Sequence, residues 1–317
     1  MVNPLACAAR LGAVALTYAL SCSCTLATAA APPTAAPDSP TLAAIARRDA
    51  VRLGYRESAV PFSYAVDGKP MGYAIDLCKR LVEAIAQESK VRQLAIEWVA
   101  VTSANRIEKM KQGEIDLECG STTNTADRRR QVAFTIPHYV AGVRILSRAT
   151  TAVTTPSALE GKSVSTNKGS TAAELLDDID KRLRTPVRRQ LFNQSTESFA
   201  AVERGEAAAW VHDDIQLFSQ RALSARPADY VISGVHLSVE PLAIMLPRDD
   251  AGFKALVDRT MKGLMRSGEA GRLYAKWFES PIPPKGVNLQ VPLNALTRDV
   301  YRAPTDFVPD LRILKMQ

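Results

Sequence analysis

Histidine and cysteine are scarce in this chain of 317 residues, and their scarcity limits the chemistry that it can perform. There are five cysteines and three histidines, and His138, His212 and His236 do not stand at metal-ligand spacing from a cysteine or carboxylate. We therefore expect no metal site. The strings G-x-S-x-G, H-E-x-x-H, a Walker loop and a G-x-G-x-x-G after a strand are also missing. We expect no cofactor and no catalytic residue.

Long apolar runs are equally scarce. The run Leu11–Leu20 has ten residues, too few to cross roughly 30 Å of hydrocarbon. Arg10 precedes it and the small-residue pattern Ala27-Thr28-Ala29 follows it, which predicts a secretory signal peptide over residues 1–29. The Ala/Pro/Thr-rich stretch that follows predicts a disordered spacer over residues 30–44.

Three of the five cysteines lie in or beside the signal peptide, which leaves Cys78 and Cys119 for the folded part. Export to an oxidising compartment favours a disulfide between these two, with two free thiols as the alternative. Leu20-Ser21-Cys22 resembles a lipobox, although Ala19 stands where a larger aliphatic residue is usual. A lipid anchor at Cys22 is the alternative to simple cleavage.

Positive charge is dispersed along the chain. The formal net charge is +7, yet no basic stripe interleaved with aromatic residues occurs, which argues against nucleic-acid binding. The weak positive field favours an anionic ligand.

Strand-like and helix-like patterns alternate through most of the chain, which predicts parallel α/β sheets. The predicted strands are 51–55, 95–101, 115–119, 163–165, 187–192, 207–211 and 239–246, and the predicted helices are 73–86, 106–112, 170–183, 195–204, 213–223 and 253–278, with a break near Gly268.

Polar residues follow the predicted strands, at the sheet edge where ligands bind in α/β proteins. Hydroxyl groups and backbone N–H groups beside a helix N-terminus suit a carboxylate, and arginine adds a planar two-bond grip. Each group also has a structural interpretation: a capping box, a helix N-cap or a solvated surface. The groups are Arg56-Glu57-Ser58, Thr102–Arg106, Gly120–Asn124, Lys168–Thr171 and His212–Asp214. The separate run Asp127–Arg130 is typical of a solvated helix face, with Arg128 as a candidate ligand contact.

Taken together, several of these strings resemble the extracytoplasmic solute-binding proteins of polar amino-acid ABC importers, most closely the glutamate/aspartate-binding branch. The resemblance runs from about Val51 to Asn288. It is carried by Arg56-Glu57-Ser58-x-x-Pro61-Phe62-Ser63-Tyr64, Thr102-Ser103-x-Asn105-Arg106-Ile107, Glu118–Asn124, Asp213-Asp214, Lys276-Trp277-Phe278 and Pro281–Pro284.

The resemblance implies a two-lobed periplasmic-binding-protein fold, type II-like, that closes about a hinge. The first lobe would comprise residues 45–143 plus 245–285 and the second residues 144–244, followed by a C-terminal tail over 286–317. Two hinge crossings would lie near Val143–Ser147 and Glu240–Ile244.

The resemblance also assigns binding residues. Ser121, Thr123 and Arg128 would hold the α-carboxylate, with Thr171 reaching it from the second lobe and Ser170 beside Thr171. Asp213 would take the ammonium group. The side-chain carboxylate would be held by Arg56, Ser103 and Arg106.

Two departures from the branch are visible. Ser195 stands where members of the branch can carry a histidine near the side-chain carboxylate, so the preference between glutamate and aspartate is open. Ala243 stands where some members have a cysteine, which leaves Cys78 as the partner of Cys119.

The resemblance implies a monomeric periplasmic receptor that delivers an acidic amino acid to an ABC permease and is not an enzyme. Two alternatives use the same fold. One is a sensory module that reports on its ligand to a membrane partner. The other is a periplasmic dehydratase, which would need a general acid, with Glu57 and Glu197 as the candidates.

Overall fold

The computed structural model describes residues 39–308, so the predicted signal peptide and Cys22 lie outside the described residues. The helices are α1 (Pro40–Arg48), α2 (Tyr73–Glu88), α3 (Arg106–Lys111), α4 (Ala126–Arg129), α5 (Thr171–Asp180), α6 (Ser195–Glu203), α7 (Asp214–Leu223), α8 (Ala251–Arg266), α9 (Glu269–Phe278) and α10 (Ala295–Arg302). Within this range no helix is both long and apolar enough to cross a membrane.

The strands are short, and most belong to two large sheets. They are β1 (Ala50–Tyr55), β2 (Ser58–Ala59), β3 (Ser63–Val66), β4 (Lys69–Met71), β5 (Ala95–Ala100), β6 (Leu117–Thr123), β7 (Ala133–Phe134), β8 (Tyr139–Ala141), β9 (Val143–Arg148), β10 (Ser163–Asn167), β11 (Arg188–Phe192), β12 (Ala209–Asp213), β13 (Tyr230–Ile232), β14 (Glu240–Leu246), β15 (Pro281–Ile282) and β16 (Val287–Asn288).

Each large sheet forms the centre of one lobe. The first has the order β5-β1-β6-β14-β7, with β8 beside β14, and the second has the order β11-β10-β12-β9-β13. In both sheets the first three strands are parallel and the next is antiparallel. The expectation of parallel sheets is therefore wrong for β14 and β9. The α/β class and the two-lobed architecture are confirmed.

Two connections join the lobes. The chain leaves the first sheet at β8, passes Gly142 and enters the second sheet at β9. It returns between β13 and β14. Because Ala141 of β8 pairs with Glu240 of β14, the two connections lie side by side and form the two hinge crossings.

Apolar periodicity explains the helices that cover the sheets. In α2 the buried residues include Ile75, Leu77, Leu81 and Ile85, spaced to give one apolar face against the first sheet. Cys78 on this face is disulfide-bonded to Cys119 of β6, 41 residues further along. The predicted pairing of these cysteines is confirmed.

Residues 40–44 correct the predicted spacer, because they form the first turns of α1. Ser39 accepts a hydrogen bond from Leu42 N at 3.1 Å, while Asp250 accepts from Thr41 N at 2.8 Å. These two bonds satisfy donors that a helix N-terminus leaves free, and so they anchor the helix.

The tail also carries regular structure, although the prolines after Phe278 predicted that it would end there. Helix α10 begins after Asn294, whose side chain accepts from Thr297 N at 2.8 Å. It docks on β8: Asn294 Nδ2 donates to Val140 O at 2.9 Å, and Val140 N donates to Thr297 Oγ1 at 3.0 Å. The tail therefore packs beside the hinge connection.

Candidate functional site: a cationic cleft between the lobes

The carboxyl ends of the parallel strands of both sheets face one another across a cleft. Arg56 follows β1 directly, and Arg106 begins α3, held by a turn in which Asn105 Oδ1 accepts from Thr102 N at 2.8 Å. From the other sheet, Gly169 follows β10 and Asp213 ends β12. The topology therefore places residues from distant parts of the sequence at one site.

Three arginines are buried at the first-lobe side of the cleft. Arg56 is 1% exposed, Arg106 3% and Arg128 5%. The Nε atoms of Arg56 and Arg106 are buried and have no hydrogen-bond partner among residues 39–308. Buried cations without such partners are costly, so their presence here indicates a site that meets negative charge.

Burial lowers the pKa of Arg56 below its ordinary value, against the opposing influence of Glu118 and Asp213. The pKa of Arg106 is lowered to about 9, first by burial and then by the like charge of Arg128. Both pKa values are lowered because burial removes the guanidinium groups from water, and at Arg106 the neighbouring like charges add to the effect.

Arg128 spans the cleft. Its Nη1 donates to Thr123 O at 3.1 Å, and its Nη2 donates to Gly169 O of the second lobe at 3.2 Å. Thr125 caps α4 by accepting from Arg128 N at 3.2 Å. Arg128 is therefore held by both lobes, rather than lying on a solvated helix face.

Gly169 marks a close contact of the lobes. Its φ is +74°, and a Cβ built on it would lie 2.8 Å from Ser103 O and 2.9 Å from Ala104 Cα. A side chain at this position would hold the lobes apart. Ser103, one of the predicted ligand-binding residues, is buried at this contact.

The predicted second-lobe residues have different environments. Ser170 is buried, and its hydroxyl caps α5 by accepting from Ala173 N at 3.1 Å and donates to Asn167 O at 2.7 Å. Thr171, the first residue of α5, is half-buried. The Ser170 hydroxyl thus supports the helix whose N-terminus faces the cleft.

Asp213 stands at the N-cap position of α7, but its side chain makes no capping hydrogen bond. It is buried, and burial raises the pKa of its carboxyl well above the ordinary value, as do the charges of Glu240 and Asp214. Arg106 and Arg128 act in the opposite direction. An arriving cation would favour the ionised carboxylate.

Glu118 is a buried carboxylate that the sequence analysis did not select. It is fully buried in β6, and its Oε2 accepts from Thr122 Oγ1 at 2.6 Å. Its charge raises the pKa of both Arg56 and Arg106. A Cβ built on Gly120 would lie 2.2 Å from Glu118 Oε1, so this glycine makes room for the carboxylate.

The formal charges can be counted. With Asp213 ionised, as beside a bound ammonium, the arginines at positions 56, 106 and 128 carry +3 and Glu118 and Asp213 carry −2, so 3 − 2 leaves +1 for these five groups. Of the two carboxylates, only Asp213 was expected at the site from the sequence. A carboxylate inside the fully buried strand β6 is a local signal that points to Glu118, because a buried charge requires an opposite charge nearby.

Ser195 is buried and fully engaged with protein partners. Its N donates to Ser58 Oγ of the first lobe at 3.0 Å, and its hydroxyl donates to Gln216 Oε1 at 2.7 Å. Gln216, in α7, donates from Nε2 to Ser121 Oγ at 3.0 Å. Gln216 was not expected at the site, because one glutamine in an amphipathic helix carries no local signal.

Comparison with known proteins bears on this geometry. The family model for bacterial extracellular solute-binding proteins, family 3, matches residues 51–280. An L-glutamate/L-aspartate-binding protein of Pseudomonas aeruginosa is 36% identical over 268 residues, covering 84% of this chain and 89% of the relative. A glutamate/aspartate import solute-binding protein of Escherichia coli is 34% identical over 267 residues, covering 84% and 88%.

A solved structure has the same fold. The crystal structure of a mutant of ArgBP from T. maritima superposes with a TM-score of 0.67 at 25% identity, covering 75% of this chain and 99% of that chain. Together with the family match, which spans both lobes and the cleft between them, these findings mean that the chain belongs to the bacterial extracellular solute-binding proteins, family 3.

Proposed function

We propose that this protein binds glutamate or aspartate in the cleft and delivers it to the membrane permease of an ABC importer. The observation that carries the proposal is the group of three buried arginines opposed by two carboxylates. An acidic amino acid has two carboxylates and one ammonium, a net charge of −1, which is opposite to the formal +1 of these five groups. The names of the two bacterial relatives support the same ligand class.

The two ends of the ligand would meet different groups. Arg128, held by both lobes, binds the α-carboxylate together with Ser121, Thr123 and Thr171. Asp213 binds the ammonium group, because its carboxylate is buried and is not used as a helix cap.

The side-chain carboxylate would meet Arg56 and Arg106, whose buried Nε atoms have no protein partner within residues 39–308, with Ser103 beside them. This second contact distinguishes a dicarboxylate from its amide. The amide of glutamine cannot neutralise either guanidinium, and a buried charge left unpaired is strongly unfavourable.

The family supports an extracytoplasmic location. We propose that the chain is exported to the periplasm through its N-terminal signal, without a lipid anchor, and acts there as a monomer that binds no nucleic acid.

The protein would bind its ligand without transforming it. Both carboxyl groups considered for a dehydratase belong to exposed residues and accept hydrogen bonds from the protein. Glu197 accepts from Gln194 N at 3.0 Å at the start of α6, and Glu57 accepts from Gln194 Nε2 at 3.0 Å. Neither is placed as a buried general acid.

Isothermal titration of the purified exported chain with glutamate, aspartate and glutamine tests the proposal. We expect both acids to bind and glutamine to bind about thirtyfold to several thousandfold more weakly, since an unpaired buried charge costs roughly 2–5 kcal/mol. Equal affinity for glutamine would refute the ligand assignment. Conversion of a cyclic dicarboxylic acid, followed by absorbance, would refute the absence of catalysis.

A further inference from the structure

A hydrogen-bonded series of five buried polar side chains crosses the cleft. Ser198 Oγ donates to Asn167 Oδ1 at 3.1 Å, and Asn167 Nδ2 donates to Ser195 Oγ at 3.3 Å. Ser195 Oγ then donates to Gln216 Oε1 at 2.7 Å, and Gln216 Nε2 donates to Ser121 Oγ at 3.0 Å. All five residues are at most 5% exposed. The first four belong to the second lobe, and Ser121 belongs to the first.

The hydrogen bonds of this series run in one direction. A hydroxyl has a single proton to donate, and a side-chain amide donates only from its nitrogen and accepts only at its oxygen. Since Ser195 donates its proton to Gln216 Oε1, the amide nitrogen of Gln216 must face Ser121. Each member therefore orients the next, and buried networks satisfied in this way are rigid.

The direction of the series determines which hydrogen bond the Ser121 hydroxyl can make. Its oxygen accepts the bond from Gln216, which leaves the single hydroxyl proton of Ser121 for another acceptor. A carboxylate only accepts hydrogen bonds, so a serine beside it must donate. The hydrogen-bonded series thus presents Ser121 in the orientation that a ligand carboxylate requires.

We infer that Gln216 is a positioning residue for ligand binding, acting through Ser121. This inference rests on the proposed function, in which Ser121 binds the α-carboxylate. Because Gln216 and Ser121 lie on different lobes, their bond exists only while the lobes touch. Gln216 therefore couples closure of the cleft to the recognition of a carboxylate.

The direct test is Gln216→Leu, which keeps the approximate size of the side chain and removes the amide. We expect glutamate and aspartate to bind about ten- to a hundredfold more weakly, the usual cost of a lost hydrogen bond involving a charged group. Gln216→Glu should bind more weakly still. Its carboxylate accepts the hydrogen bond that Ser121 would otherwise donate to the ligand, and it adds negative charge beside the ligand. Unchanged affinity in either variant would overturn the inference.

A double-mutant cycle separates positioning from packing. If Gln216 acts through Ser121, then Ser121→Ala combined with Gln216→Leu should bind no more weakly than Ser121→Ala alone. Additive losses would mean that Gln216 acts independently of Ser121 and would overturn the inference. Gln220→Leu is the matched control, because Gln220 is one turn further along α7, is 7% exposed and is not part of the hydrogen-bonded series. It should bind as the wild type does.

Ser195→Ala provides a second test if the Gln216 variants do not fold. This change removes the proton that orients the amide of Gln216 and leaves the bond from Ser195 N to Ser58 in place. We expect severalfold weaker binding of both acids, and wild-type affinity would count against the inference. Failure of the wild-type protein to bind any acidic amino acid would instead refute the proposed function.

Discussion

Replacing Arg106 by methionine should weaken ligand binding and, at the same time, stabilise the ligand-free protein. Arg106 is 3% exposed, and burial together with the charge of Arg128 lowers the pKa of its guanidinium from the ordinary value of arginine to about 9. Since one pKa unit is worth about 1.4 kcal/mol, this lowering opposes the charged form by several kcal/mol. Arginine stays charged at neutral pH, and the folded state therefore carries that cost.

The net gain in stability should be smaller than this figure. The interior relaxes around buried charge, and methionine does not fill all the space of arginine. We expect a net stabilisation of about 1–2 kcal/mol, which raises Tm by about 2–6 °C in a protein of this size. The same change should weaken glutamate binding by roughly 2–5 kcal/mol, or about thirtyfold to several thousandfold in Kd.

Thermal unfolding without ligand and calorimetric titration with glutamate measure the two effects. Arg130→Met is the matched control, because the side chain of Arg130 is 70% exposed and pairs with Asp127 at the surface; both quantities should stay near the wild-type values. A lower ligand-free Tm combined with unchanged glutamate affinity in the Arg106 variant would refute the argument.

Two further predictions concern Asp213 and the disulfide. Burial, Glu240 and Asp214 raise the pKa of Asp213 above 3.8, and a bound ammonium should lower it again. Binding should therefore release protons, and ligand affinity should fall as the pH is lowered through the raised pKa of Asp213. Calorimetric titrations in buffers of different ionisation enthalpy measure the proton release, and Asp213→Asn should abolish it. Reducing the Cys78–Cys119 bond, which closes a loop of 41 residues, should lower the free energy of unfolding by about 4 kcal/mol in urea.

Specific outcomes would contradict these two predictions. Proton release that persists in the Asp213→Asn variant would place the titrating group elsewhere. A urea midpoint that does not change on reduction would mean that the disulfide does not restrict the unfolded chain.

Most elements could be predicted from the sequence because their signals are local. The apolar spacing in α2, the break at Gly268 and the alternation of strands and helices depend on residues a few positions apart. The strand β6 runs further than predicted, to Thr123, because β14 pairs with its polar end through Leu242 and Ala243. That pairing joins residues more than a hundred positions apart, and no local pattern reveals it.

The sequence by itself determined which residue types follow the strands: arginines, hydroxyls and one aspartate at the edges where parallel strands end. It also determined the two cysteines of the folded part. Only the tertiary structure decided which side chains meet. Glu118 lies beside Arg56 because β6 pairs with β1, and Gln216 reaches Ser121 because the lobes close on each other. The physical reason is that secondary structure follows short-range spacing, whereas charge balance and hydrogen-bond direction depend on distances in space.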